Sequence, residues 1–92
     1  MNHVAELGIP RRVGLVAGWG RFPIVIAEAL QRQGADVFCL GIKDHADESL
    51  RGYCQNYRSI GVAKTGGQIR YFHHHDVHHV TLAGKLFKHR LL

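Results

Sequence analysis

GLVAGWGRFP, residues Gly14 to Pro23, joins a short apolar run, a Gly-x-Gly turn and a proline placed where a helix can begin. With the residues ahead of it the apolar run reads RVGLVA, Arg12 to Ala17, and closes on Gly18, as a buried strand does. Pro23 suits the first turn of a helix, where the N–H that proline lacks is not needed. The segment PIVIAEALQRQG then carries Ile24, Ala27 and Leu30 at helical spacing, and Gly34 supplies a C-terminal stop. A strand that ends in Gly-x-Gly ahead of a helix lets backbone N–H groups approach an anion at the helix start. Arg21 adds positive charge to that loop. A plain tight turn would use the same two glycines for backbone freedom alone.

Outward from this stretch, the pattern repeats. DVFCLGI, Asp36 to Ile42, predicts a second strand, followed by a polar loop over Lys43 to Asp47 and a short helix over Glu48 to Cys54. YRSIG, Tyr57 to Gly61, reads as a third strand. Thr65-Gly66-Gly67 opens a helix that ends near His75, and HVTLA within Val77 to Ala83 is a fourth strand closed by Gly84. Leu86 to Leu92 begins a further helix. Short apolar runs separated by helical segments predict a parallel sheet covered on both faces. With right-handed crossovers the fold class is α/β, a Rossmann-like three-layer domain with a short parallel sheet. The runs 13–17, 37–42 and 79–83 are expected to lie adjacent and parallel, with helix 23–33 on one face. Residues 1–11 read as an N-terminal leader, set off by Pro10, and 12–92 as the domain.

The chain has 92 residues, a length for one domain, and its 46% hydrophobic and 21% charged residues belong to a globular protein. Twelve Lys and Arg against seven Asp and Glu leave a formal charge of +5, spread along the chain without a basic run. That excess suits an anionic partner such as a phosphate group or an acidic lipid surface, and equally a merely solvated surface. It does not point to nucleic acid, because no basic stripe with exposed aromatics stands out. Cys39 and Cys54 form no CxxC, and Cys39, inside an apolar run, reads as a reduced core residue. No signal-peptide or membrane-spanning stretch is present, so the chain reads as cytoplasmic.

Other motifs are weaker. A dinucleotide fingerprint would need Gly or Ala where Pro23 stands, and an acidic end to the second strand where the sequence runs Ile42-Lys43 with Asp44 beyond. Gly84-Lys85 resembles the end of a P-loop, yet Leu86 replaces the Ser or Thr. Because Gly84-Lys85 also follows a strand, it falls on the same sheet edge as the glycine loop, where Lys85 can offer a point charge to a phosphate or simply face solvent. Thr65-Gly66-Gly67-Gln68 is a third loop on that edge, open either to an anion or to ordinary capping by Thr65. Five histidines and Asp76 within His73 to His79 can hold a transition metal, but a solvated helix end explains them more simply. No Ser or Cys lies in a nucleophile elbow and no carboxylate pair stands out. Hence no catalytic residue and no metal ligand is assigned.

The runs GLVAGWGRFPIVIAEAL and VAKTGGQIRYFHHHDVHHVTLAGK, with their spacing, resemble the N-terminal domain of LpxI-type UDP-2,3-diacylglucosamine pyrophosphatases. AGxGxFP, GGQIRYF and a final strand with AGK carry the resemblance, which covers nearly all of the chain after Arg12. It implies a cytoplasmic enzyme of lipid A biosynthesis, at most peripheral at the inner membrane, that hydrolyses UDP-2,3-diacylglucosamine to UMP and lipid X with magnesium. It also implies a C-terminal catalytic domain, so residues up to Leu92 are expected to be a substrate-binding lobe that is inactive alone. Carried over residue by residue, the binding positions are Gly18, Gly20, Arg21, Phe22 and Pro23, then Gly67 and Gln68, then Gly84 and Lys85. The implied partners are UDP-2,3-diacylglucosamine or lipid X, the catalytic domain, and further copies in a homo-oligomer. The alternative is a stand-alone nucleotide- or phosphate-binding module without catalysis.

Overall fold

A computed structural model describes residues 10–61 and 65–85. The leader up to residue 9 and the helix expected over 86–92 lie outside the described residues. The chain runs β1 (Arg12–Ala17), α1 (Phe22–Arg32), β2 (Asp36–Ile42), a short 3-10 turn (Glu48–Tyr53), β3 (Asn56–Ile60), α2 (Thr65–His74) and β4 (Val80–Ala83). The strands form one sheet in the order β3-β2-β1-β4, all parallel. The expected adjacency of 13–17, 37–42 and 79–83 is therefore what the sheet has. The short helix expected at 48–54 is a 3-10 segment, whose N-cap Asp47 accepts from the Ser49 N–H at 2.9 Å.

Alternation along the strands sorts the core into two halves. Leu15 and Ala17 of β1, with Val37 and Cys39 of β2, face α1 and meet Ile24, Ala27 and Leu50. Val16, Phe38, Leu40 and Ile42 point the other way, toward Tyr71 and Phe72 of α2 and Val77 beyond it. Central β1 and β2 are buried nearly throughout, whereas edge strands β3 and β4 are half-exposed. Gly14 has a packing reason to lack a side chain: a Cβ there would lie 2.6 Å from Phe72 Cε1. Cys39 is a buried free thiol; its hydrogen bond with Cys54, followed by burial, pushes its pKa far up. Among the described residues no helix is long and apolar enough to cross a membrane.

Candidate functional site

β1 is the strand from which the chain departs toward β2 on one side and against which β4 returns on the other. The carboxyl ends of β1 and β4 therefore flank the place where parallel α/β sheets take ligands. The glycine loop and Gly84-Lys85 meet there. Trp19 N–H donates to the Lys85 carbonyl at 2.6 Å, and Lys85 N–H returns a bond to the Trp19 carbonyl at 2.9 Å. Gly18 N–H donates to the Ala83 carbonyl at 2.8 Å. A Cβ on Gly18 would collide with the Lys85 carbonyl group, and one on Gly84 would lie 2.9 Å from both Pro23 Cγ and the Trp19 carbonyl oxygen. Close approach of two backbones explains both glycines.

Gly20 differs. Nothing lies within 4 Å of a Cβ there, but its φ of +111° is one that L-residues rarely adopt. Its role is to turn the chain into α1, whose N-cap is Arg21. No side chain caps this end. The Ile24 and Val25 N–H groups bond back to the Arg21 carbonyl, and Pro23 is buried beneath. Arg21 and Phe22 point outward, Phe22 being 59% exposed. Lys85 Nζ lies 5.5 Å from the centre of the Trp19 ring, a cation held over an aromatic face.

A cavity of about 570 Å³ opens beside this loop, between Trp19, Gly20 and Arg21 on one wall and Asp44 to Glu48 on the other. In sequence, Lys43 to Asp47 is simply a polar loop, with no carboxylate pair that stands out. The fold brings Asp44, Asp47 and Glu48 together on the cavity wall. Their only linear signal is position after β2, where a dinucleotide fingerprint would end the strand on an acid. Asp47 is held below the usual carboxylate range, first by its hydrogen bonds with Ser49 and also by the Arg21 charge. Glu48 pairs with Arg51 at 2.9 Å. No ligand for the magnesium implied by resemblance is assigned on this wall. Among the described residues, no group of three or more His, Cys, Asp or Glu is placed to hold a metal ion. No chemical step is assigned to a metal here.

Gly67 and Gln68 lie inside α2 rather than in a turn ahead of it, and they border other hollows than the glycine loop does. The fold thus joins Gly18, Gly20, Arg21, Phe22 and Pro23 with Gly84 and Lys85, and leaves Gly67 and Gln68 apart. Of the histidine run, His73, His74, His78 and His79 are exposed, and His78 Nε2 pairs with Asp76 at 2.9 Å.

No curated protein matches the chain. The family model of the LpxI N-terminal domain matches residues 12–92, from the first residue of β1 onward. That match takes in each strand and helix among the described residues, and with them the glycine loop, the GGQIRYF helix and the AGK segment. This chain belongs to the LpxI family, through its N-terminal domain, and so to the setting of lipid A biosynthesis.

Proposed function

We propose that residues 12–92 are the substrate-binding lobe of a UDP-2,3-diacylglucosamine pyrophosphatase, and that the edge formed by Gly18 to Pro23 with Gly84-Lys85 receives the substrate's phosphates. The observation that carries this reading is the paired Trp19–Lys85 backbone bridge, which locks two separate loops and two cations, Arg21 and Lys85, onto one sheet edge. A rigid backbone edge with flanking cations orients a pyrophosphate without rearranging, which is what a binding lobe contributes to catalysis. In this reading hydrolysis to UMP and lipid X is completed by a catalytic domain that supplies both the attacking water's activation and the magnesium ligands. Residues 1–92 by themselves do not turn the substrate over. The protein works in the cytoplasm, at most peripherally at the inner membrane.

The test has two arms. Residues 1–92 are titrated with UDP-2,3-diacylglucosamine while backbone amide resonances are followed, and turnover is measured with and without a fused C-terminal domain of the same family. Shifts centred on Gly18, Gly20, Arg21 and Lys85 are expected, with hydrolysis only in the fusion and a sharp loss in its Gly20→Val variant. Robust hydrolysis by residues 1–92 sinks the lobe assignment. Full activity of the Gly20→Val fusion sinks the loop assignment.

A further inference from the structure

Helix α2 has a cationic flank that faces β3. Gly67, Arg70, Tyr71, His74 and His75 recur three or four positions apart, and with Arg58 of β3 they enclose a hollow of about 320 Å³, within the range of small-ligand pockets. Its walls are fixed by contacts that do not use up the charges. The Tyr71 hydroxyl donates to Asn56 Oδ1 at 2.7 Å, and the Arg58 guanidinium sits 5.5 Å above the Tyr71 ring. His75 stacks on Phe38 of β2, with ring centres 4.9 Å apart. From β1, Arg12 Nη1 donates to the His75 carbonyl at 2.8 Å and so brings another cation beneath the helix end.

Among the described residues no carboxylate borders the hollow. Elsewhere Arg11 pairs with Asp36, Arg32 with Glu28 and Arg51 with Glu48, while Arg21 at the glycine loop has no ion pair among the described residues. Arg12, Arg58 and Arg70 have no ion pair among the described residues, and Asp76, next in the chain to His75, is taken by His78. Burial, and after it the positive charges of His74, Arg58 and Arg12, hold His75 below the ordinary histidine value. Three positive charges thus act on His75, from α2, β3 and β1. Cations gathered around a concavity with no counter-charge repel one another, and an anion in the hollow relieves that repulsion.

We propose that the α2–β3 hollow binds a phosphate group, with the guanidinium groups of Arg58 and Arg70 as its principal donors and His74 and His75 beside them. Guanidinium forks match phosphate oxygens in geometry as well as charge. The same chemistry is offered by free phosphate or pyrophosphate and by the headgroup of an anionic lipid.

Residues 1–92 are titrated with sodium pyrophosphate, and separately with phosphatidylglycerol vesicles diluted in phosphatidylcholine. The readouts are the His75 ring resonances and the binding isotherm. Binding is expected to move the His75 signals and raise their titration midpoint. Read at His75, the Arg58→Gln/Arg70→Gln double variant is expected to bind about tenfold or more weakly, while Arg32→Gln, a site paired with Glu28 on α1, stays within about twofold of the parent. Response to pyrophosphate without vesicle binding assigns a free anion; vesicle binding without a pyrophosphate response, lost in the double variant, assigns a headgroup. The proposal is overturned by His75 signals that neither probe moves. It is equally overturned by a double variant, folded by circular dichroism, that binds as the parent does. Single Arg→Lys variants replace the double variant if it loses its fold, and must show the same graded weakening.

Discussion

The glycine loop and the α2–β3 hollow both present arginine to solvent, but they are assembled in opposite ways. At the loop the backbone does the shaping: Gly18 and Gly84 let two segments touch, Gly20 turns the chain, and Arg21 stands opposite Asp44, Asp47 and Glu48. In the hollow the side chains do it, with cations from β1, β3 and α2 converging and, among the described residues, no acid on its walls. Backbone geometry tolerates few substitutions and loses its shape when one fails. A side-chain cluster can lose a member and keep the fold. The two regions should therefore respond very differently to mutation.

The largest difference is expected at Gly18. Valine there must displace the Lys85 carbonyl and open the bridge between the loops, at a stability cost of about 3 kcal/mol. Urea unfolding measures it, and a wild-type midpoint would mean that the two loops are not held by their backbones. Gly20→Ala meets no neighbour, so only its positive φ counts against it, for about 1–2 kcal/mol. A loss equal to that of Gly18→Val would erase the distinction between close approach and backbone conformation.

On the other side of the comparison, Tyr71→Phe removes the hydrogen bond to Asn56 from the hollow's wall. It should cost about 1 kcal/mol in the same unfolding experiment. A larger loss would show that the hollow is as dependent on its framework as the loop is.

The smallest effect is one of pH. Because His75 has a lowered pKa in the fold, the unfolded chain takes up that proton more readily. The group's contribution is intact above the ordinary value of 6.5 and is lost as pH falls from there through the lowered native value. His75→Gln should flatten that part of the stability profile. Arg58→Gln should raise the His75 midpoint toward 6.5, since a neighbouring cation is gone. An unmoved midpoint in the proton spectrum would place Arg58 too far away to matter.

How far each region was legible follows from its construction. GLVAGWGRFP is contiguous, so one reading of it yields strand, turn and helix start together, and the observed β1 and α1 follow it within a residue or two. The carboxylates on the facing cavity wall were in plain view as a polar loop. Nothing local said that Leu50, wholly buried under α1, would pin that loop against Arg21. Gly67 and Gln68 were legible as the start of a helix but not as neighbours of separate hollows, because that depends on where α2 crosses the sheet.

The sequence by itself determined the alternation that buries β1 and β2 on both faces, the helical spacing of α1, and the Gly-x-Gly turn at a strand end. Each rests on periodicity or on a backbone conformation open to few residues, and both are properties of neighbouring positions. Only the tertiary structure decided that β4 would lie against β1, so that Lys85 reaches Trp19 across most of the chain. It alone decided that Arg12, Arg58 and Arg70, far apart in sequence, would share one side of α2. Parallel strands cannot be joined by tight turns, so what meets at a sheet edge or on a helix flank is set by crossovers. Spacing along the chain does not record it.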